Sequence, residues 1–334
     1  MNIRSVIAAL LTAGVVALAQ AAEPVVIKFS HVVADDTPKG KGAAKFKELA
    51  EKYTGGAVKV EIYANSTLYK DKEEMEALQL GAVQMIAPSL AKFGPLGVRT
   101  FEVFDLPYIF DNAEQLHKVT TGELGKKMFA SLEPKGIRGL AFWDNGFKSF
   151  SANKPLNAPA DFRGLKMRIQ SSKVLEAQMR ALGALPQVMA FSEVYQALQT
   201  GVVDGTENPH SNLYTQKMYE VQKNITVSDH GYLGYAVITN KRFWDGLEPT
   251  LREQLEKAMA EATAYANGIA KEENEKALEA VRASGKSEIH VLNPEERAAL
   301  KKALLPVHEE MASRIGKETI EAVYRETGFD PSKQ

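Results

Sequence analysis

An arginine in this sequence is placed where it can hold an acidic ligand. In residues 165–169, Leu165, Met167 and Ile169 alternate with Lys166 and Arg168. Successive side chains of a strand point to opposite faces, so Arg168 is predicted to point away from the core that the apolar residues build. Its planar guanidinium can bind one carboxylate through two charge-assisted hydrogen bonds. Arg168 is therefore a candidate anchor for an organic acid, and a salt bridge inside the protein is an equally good interpretation of this residue alone.

Other hydrogen-bonding residues follow the predicted strands. They are His31, Ser89, Ser171 and Asn208. In doubly wound sheets a ligand binds beyond the carboxyl ends of the strands, which is where these residues fall. Asn208 also precedes Pro209, and this pair commonly opens a turn, so a structural role is the alternative for Asn208.

Two further residues have both a functional and a structural interpretation. Lys148 offers a cation close to the aromatic residues Trp143 and Phe147. A solvated lysine on a hairpin would have the same sequence. Phe191 precedes Ser192, the predicted cap of a helix, and is either the wall of a pocket or the apolar contact that fixes the start of that helix.

The sequence carries no motif that indicates catalysis or cofactor binding. It has no cysteine, which excludes disulfides, thiolate metal sites and cysteine nucleophiles. Its six histidines are dispersed without metal-ligand spacing. The nucleophile elbow and the glycine-rich nucleotide motifs are missing too. We expect no metal and no cofactor, although acid and base pairs that assemble across a fold leave no local trace.

The charge pattern and the N-terminal residues predict an exported protein. The 41 basic residues are scattered among 42 acidic ones, so nothing indicates a nucleic acid partner. Arg4, an uncharged run at 6–19 and small residues after it predict a signal peptide at residues 1–22. The run is too short to span a bilayer. A buried N-terminal helix is the alternative, and without cysteine we expect no lipid anchor.

The remaining elements predict an α/β fold with two lobes. At 334 residues the chain exceeds the length of roughly 250–300 at which one hydrophobic core usually stops growing. Strand-like runs at 25–30 and 58–63 alternate with helical patterns, which indicates a mainly parallel sheet flanked by helices. The same order returns later in the chain, and residues 77–84 nearly match residues 197–204.

The β-rich segments at 139–155 and 231–247 are predicted to cross between the lobes. We assign residues 23–145 and 234–273 to lobe I, and residues 146–233 and 274–334 to lobe II. A helical period at 247–283 predicts one helix that approaches ~50 Å at about 1.5 Å per residue, long enough to brace both lobes. Gly268 leaves a bend or break in this helix open.

Several consecutive runs resemble the periplasmic substrate-binding proteins of TRAP transporters, and among them the type that binds C4-dicarboxylates. The most specific runs are residues 165–168, 190–205 and 207–209, and the resemblance extends over nearly all of the chain after the signal peptide. It implies a two-lobed clamp like that of other periplasmic binding proteins, with a long helix bracing both lobes.

The resemblance also implies roles for individual residues. Arg168 would pair with a ligand carboxylate, while Asn208 and Phe191 would complete the site. Lys148 falls where the sialic-acid branch of the family has another arginine, so it would be a second cation. Pro88 falls where that branch has an acidic residue, which argues against an amino sugar as the ligand. The dicarboxylate branch of the family is similar to this sequence at 29–33, 87–93 and 230–232. This similarity supports ligand contacts at the other end of the site from His31, Ser89, Lys70 and Tyr232.

Together these features predict a periplasmic, monomeric solute-binding protein rather than an enzyme. It would close on succinate, malate or fumarate and deliver the acid to TRAP membrane subunits. Two alternatives stay open. One is a binding protein for another organic acid, such as a sugar acid, an aromatic acid or an α-keto acid. The other is a periplasmic enzyme that acts on organic acids with Glu207 or His31 as general base.

Overall fold

The computed structural model describes residues 23–333, and the predicted signal peptide at residues 1–22 lies outside them. The strands are β1 (Val25–Ser30), β2 (Val58–Tyr63), β3 (Met85–Ile86), β4 (Ile137–Phe147), β5 (Ser149–Ala152), β6 (Lys166–Ile169), β7 (Leu185–Val188), β8 (Gly205–Asn208), β9 (Asn224–Val227), β10 (Tyr232–Asn240) and β11 (Glu288–Val291). The helices are α1 (Pro38–Tyr53), α2 (Glu74–Gln79), α3 (Ala113–Thr121), α4 (Glu123–Ala130), α5 (Lys173–Ala181), α6 (Val194–Gln199), α7 (His210–Thr215), α8 (Lys241–Asp245), α9 (Pro249–Ser284), α10 (Pro294–Leu304), α11 (Pro306–Glu310), α12 (Ala312–Ile315) and α13 (Lys317–Thr327).

Local sequence signals explain where the first helix lies. The side chain of Thr37 accepts a hydrogen bond from the backbone of Gly40, and Pro38 occupies the first turn, where its missing N–H costs nothing. Phe46 and Leu49 then share the buried face of α1. This face packs on the side of the sheet that carries Phe29.

The strands form two sheets, as the sequence predicts, but both sheets are mixed rather than mainly parallel. The first has the order β2-β1-β3-β10-β4, and the second has the order β11-β9-β5-β8-β6-β7. In the first sheet β1 is parallel to β2 and β3, while β10 runs antiparallel to β3 and β4. In the second, β5 runs antiparallel to β8 and β9. The antiparallel strands are those in the segments that cross between the sheets.

Two chain segments connect the sheets where the sequence predicted crossings. β4 of the first sheet continues through Lys148 into β5 of the second, and β9 of the second leads back to β10 of the first. The two crossings lie side by side, because the backbone N–H of Lys148 donates to the carbonyl of Gly231 at 2.9 Å. Together with α9, which leads from β10 of the first sheet to β11 of the second, these segments connect the two sheets.

Helix α9 is the predicted long helix. It runs for 36 residues without interruption at Gly268, and Gly285 ends it in the left-handed conformation. It packs against α1 and β4 on the first sheet and against α7 after the second sheet. A hydrogen bond of 2.8 Å from the indole of Trp143 to Thr263 attaches it to β4. The helix thus contacts both halves of the molecule.

The repeated sequence motif corresponds to a repeated local structure. α2 and α6 have six residues each. Each is followed by a glycine with positive φ, 78° at Gly81 and 74° at Gly201. Glycine adopts this conformation without the steric penalty that a Cβ adds, which explains why both copies of the motif carry it.

The C-terminal helices divide between the two halves. Leu300 and Leu304 of α10 belong to the core that contains Phe162 and Met167 of the second half. Val323 of α13 instead belongs to the core that contains first-half residues, and α13 packs against α3. The assignment of 274–334 to lobe II therefore fits α10 and not α13. The division of the whole chain between lobes stays a prediction.

Within residues 23–333, none of the helices combines the length and apolarity required to cross a membrane.

Candidate functional site

A narrow cavity between the two sheets brings several of the predicted site residues together. Arg168 of β6, Asn208 at the end of β8 and Phe191 before α6 come from the second half. Ser89, which follows β3, comes from the first half. The carboxyl ends of β6 and β8 are at this edge of their sheet, as expected for a ligand site in an α/β fold.

Arg168 is buried and points into this cavity. Met167 and Ile169 on either side of it lie in the core and are fully buried, which confirms the predicted alternation along β6. Nε and Nη2 of Arg168 donate to the carbonyl oxygen of Met189 at 3.1 and 2.9 Å. A guanidinium has five N–H donors, so three of them have no hydrogen-bond acceptor among residues 23–333. The ring of Phe191 lies 5.6 Å from the guanidinium carbon and covers one side of it.

A carboxylate and a lysine from the first half stand beside Arg168. Oδ2 of Asp71 accepts a hydrogen bond of 2.7 Å from Lys92 and lies 3.9 Å from Nη2 of Arg168. The latter distance is too long for a hydrogen bond. Oδ1 of Asp71 is 3.4 Å from the backbone N–H of Phe191. Two cations from opposite halves therefore share one carboxylate, and their combined positive charge exceeds what Asp71 neutralises.

Neutral hydrogen-bonding groups complete the wall. Ser89 donates to Oε1 of Gln170 across the two halves. Asn212 and Tyr235 both bond to the amide of Asn145, at 3.0 and 2.7 Å. Asn208 is 4% exposed, and its amide nitrogen is 3.5 Å from the sulfur of Met218, a weak acceptor. The amide of Asn208 is therefore able to donate to a stronger acceptor.

His31 is buried directly after β1, although Val32 and Val33 line the cavity and His31 is not on its described wall. Neither ring nitrogen of His31 has a hydrogen-bond partner in the described part of the chain. Burial, assisted by the nearby ammonium of Lys39, lowers the pKa of His31 to about 3. The imidazole is neutral at physiological pH. Its role as a ligand contact stays a prediction.

Lys148 is a partner for Glu207 rather than a cation on the cavity wall. Its Nζ lies 2.8 Å from Oε1 of Glu207, and both side chains are 2% exposed. Oε2 of Glu207 lies 2.8 Å from Nε2 of His230. Burial alone would raise the pKa of Glu207, but Lys148 and His230 outweigh that effect and lower it to about 2. The fold brings Lys148 to a partner 59 residues away in the chain, which no local sequence pattern reveals.

The three other predicted site residues lie elsewhere. Lys70 is half exposed and pairs with Glu193 at 2.8 Å, across the outside of the cleft. Tyr232 lines a different cavity, together with Phe147. Ser171 is partly buried after β6 and is not on the described wall. Tyr232 does not reach the ligand cavity because its side chain and that of Tyr235, which lines that cavity, project from opposite faces of β10.

Sequence reasoning missed the acidic residues of the site. Asp71 and Glu74 both line the cavity and are at most 5% exposed. The only sequence signal was their position at the start of α2, the first-half counterpart of the segment that carries Phe191 before α6. Charged residues in such a loop are normally solvated, so burial here could not be predicted. Within residues 23–333, no cluster of histidine, aspartate and glutamate side chains could hold a metal ion.

Comparison with known proteins finds similarity to bacterial solute-binding proteins. Residues 29–315 match the model of the family described as bacterial extracellular solute-binding protein, family 7. The chain is 72% identical over 327 residues to the C4-dicarboxylate-binding periplasmic protein DctP of Rhodobacter capsulatus, covering 97% of this chain and 98% of that protein.

Solved structures are similar over the same region. A TRAP periplasmic solute-binding protein of Shewanella oneidensis with bound succinate is 43% identical, with a TM-score of 0.89 and coverage of 91% of this chain and 99% of that one. A second, from Pseudomonas aeruginosa with bound L-malate, is 46% identical, with a TM-score of 0.84 and coverage of 86% and 100%. The predicted two-lobed fold is confirmed by this similarity.

Proposed function

The chain belongs to family 7 of the bacterial extracellular solute-binding proteins, and we propose that it binds a C4-dicarboxylate in the periplasm and delivers it to TRAP membrane subunits. Succinate, malate and fumarate are the candidate ligands. Similar proteins support this assignment, because one is named for C4-dicarboxylate binding and two solved structures hold succinate and L-malate. Export would depend on the predicted signal peptide at residues 1–22, which lies outside the described residues.

The observation that carries the proposal is the geometry of Arg168. Moving a carboxylate from water into a buried cavity is costly unless a partner compensates its charge. The guanidinium of Arg168 is itself buried, is fixed by two hydrogen bonds to Met189 and keeps three donors for a guest. Such a preorganised fork suits a carboxylate better than it suits a neutral solute.

The second carboxylate of the ligand requires further donors on the cavity wall. Lys92 of the first half bonds to Asp71 through one of its three N–H donors, so it provides them together with Asn208 of the second half. A ligand that is held from both sides favours the closed arrangement by its differential affinity for that arrangement. The length of a C4-dicarboxylate thus couples ligand binding to closure, and we propose that the closed form is what the membrane subunits recognise.

We further propose that the protein is not an enzyme. A general base works best when its pKa is near the working pH. Lys148 and His230 outweigh the effect of burial and lower the pKa of Glu207 to about 2, and burial lowers that of His31 to about 3. Both residues are weak bases as a result. Formation of a new product during prolonged incubation with an organic acid would contradict this part of the proposal.

A ligand panel tests the proposed function. Succinate, malate and fumarate would be compared with galactonate, galacturonate and an α-keto acid by thermal unfolding and isothermal titration. A ligand that binds only the folded protein stabilises it by about 2.7 kcal/mol at a concentration 100 times its Kd. We expect this stabilisation with at least one C4-dicarboxylate. Stabilisation by a sugar acid alone, with no titration heat for any C4-dicarboxylate, would refute the proposed ligand class.

A further inference from the structure

Glu74 is a buried carboxyl group without a hydrogen-bond partner in the ligand cavity. It is the first residue of α2, is 1% exposed and lines the same cavity as Arg168 and Lys92. Both of its carboxyl oxygens are buried, and neither has a hydrogen-bond partner in residues 23–333. A carboxylate that lacks both water and donors is energetically unfavourable in a protein interior. Its neutral, protonated form costs less.

The charged groups around Glu74 do not provide the hydrogen bonds that its carboxyl group lacks. Lys39 of α1 and Lys92 attract the charged form, while Asp71 repels it. Neither lysine bonds to Glu74, because Lys92 bonds to Asp71 and Lys39 donates to the carbonyl of Ala87 at 2.9 Å. The ammonium of Lys39 also lies 3.8 Å from the ring centroid of Tyr235, where a cation is stabilised. Burial dominates over the two lysines and raises the pKa of Glu74 to about 7.

We propose that Glu74 binds the ligand as a carboxylic acid, with its O–H donating a hydrogen bond to an oxygen of the bound dicarboxylate. This inference rests on the proposed function, because it assigns a role to a residue of the same site. Protonated carboxyl groups are donors, whereas ionised ones are acceptors only. Because every oxygen of a dicarboxylate dianion is an acceptor, an ionised Glu74 would repel the ligand and a protonated one would hold it.

The inference has a measurable consequence in pH. A bound dianion adds negative charge beside Glu74, which favours its protonated form further. Below pH 7 the residue already carries its proton, so the affinity is at its maximum. Above that pH a proton must be taken up from solvent with each ligand, and the affinity falls as the pH rises. Succinate itself stays fully ionised in this range, because ordinary carboxyl groups titrate near about pH 4.

Isothermal titration of succinate at about pH 7 and about pH 9 tests the inference. For the wild-type protein we expect Kd to rise by roughly fiftyfold between these values, because Glu74 is about half protonated at the lower pH and about 1% protonated at the higher. Measurements in two buffers of different ionisation enthalpy should show proton uptake at the higher pH. Glu74→Gln keeps a donor that cannot titrate, so this variant should bind at about pH 7 within roughly threefold of the wild type and show no proton uptake and no rise in Kd.

Asp105 provides a matched control. Burial is also the main cause that raises its pKa to about 7, but it accepts a hydrogen bond of 2.7 Å from Ser172 and is not on the described wall of the cavity. Asp105→Asn should therefore keep the pH profile of the wild type. The pKa of Lys39 is lowered to about 7 by burial, so a rise in Kd that persists in Glu74→Gln would identify Lys39 or another group as the titrating site and overturn the inference.

Three other outcomes would also overturn it. A folded Glu74→Gln protein that loses binding at both pH values would show that the ionised carboxylate is required. A wild-type Kd that is equal at both pH values would refute the role of Glu74 and leave the proposed function intact. If the wild-type protein bound no dicarboxylate at any pH, both the proposed function and this inference would fail.

Discussion

Replacement of Lys148 by methionine separates a structural role from a ligand contact. Methionine keeps much of the apolar stem of the lysine and removes its charge. In the structure this charge lies 2.8 Å from Glu207, and both side chains are 2% exposed. Water cannot replace the ammonium at such a depth. The substitution therefore leaves a buried carboxylate with His230 as its remaining close partner.

The expected loss follows from that burial. Removal of one partner from a buried ion pair typically costs about 3–5 kcal/mol of the free energy of unfolding, because the other charge stays buried without compensation. Lys148 and His230 lower the pKa of Glu207 to about 2 against the effect of burial, so they stabilise its charged form. We therefore expect Lys148→Met to lower the free energy of unfolding by about 3 kcal/mol.

The pH dependence of this variant gives a second readout. Lys148 is one of the groups that lower the pKa of His230, so its removal raises that pKa and allows His230 to carry a charge beside Glu207. A raised histidine pKa stabilises the folded state below the unfolded value of about 6.5 and loses that effect as the pH rises. The variant should be less destabilised at about pH 5 than at about pH 8.

Denaturant unfolding followed by circular dichroism measures both effects, and Lys70→Met is the matched control. The pair of Lys70 and Glu193 has the same distance of 2.8 Å, but its side chains are 47% and 48% exposed. Exposed pairs contribute about 0–1 kcal/mol, so this control should change little. If Lys148→Met unfolded like the wild type while losing affinity for succinate, Lys148 would be a ligand contact and our reasoning about the buried pair would be refuted.

Two further predictions concern the repeated motif and closure. Gly81→Ala and Gly201→Ala should each lower the free energy of unfolding by about 1 kcal/mol, because both glycines have positive φ. A Cβ at either position would meet no atom closer than 3.9 Å, so the loss would come from backbone strain and not from a clash. An unchanged denaturation midpoint would show that the positive φ imposes no such strain. Small-angle scattering should show a smaller radius of gyration on addition of succinate, because the site draws on both halves of the molecule; an identical profile with ligand demonstrably bound would contradict the clamp.

Local sequence patterns predicted the elements and the orientation of Arg168. The alternation along residues 165–169 predicted that Arg168 leaves the core, and the helical period at 247–283 predicted α9. Both signals are periodic and short-range. The sequence also predicted where the chain crosses between the sheets. It did not predict that these crossing strands make both sheets mixed, because strand direction depends on pairing between distant segments.

The charges of the site were harder to predict for the same reason. Lys148 has the local sequence of a solvated lysine, and only the fold brings it to Glu207. Asp71 and Glu74 have the local sequence of a solvated helix start, and only the tertiary structure buries them on the wall that also carries Arg168 and Lys92. Burial of charge is a property of the tertiary structure. Sequence periodicity therefore predicted the orientation of Arg168 but not the acidic residues beside it.

The most direct test of the central claim is the Kd of succinate for Arg168→Lys, measured by isothermal titration beside the exposed Arg282→Lys as control. The cost of losing one partner of a buried charged pair is about 2–5 kcal/mol, which weakens binding by roughly thirtyfold to several thousandfold. We expect a loss in this range for Arg168→Lys and wild-type affinity for the control. Wild-type affinity in Arg168→Lys would contradict the account, because an ammonium cannot reproduce the guanidinium fork that it requires.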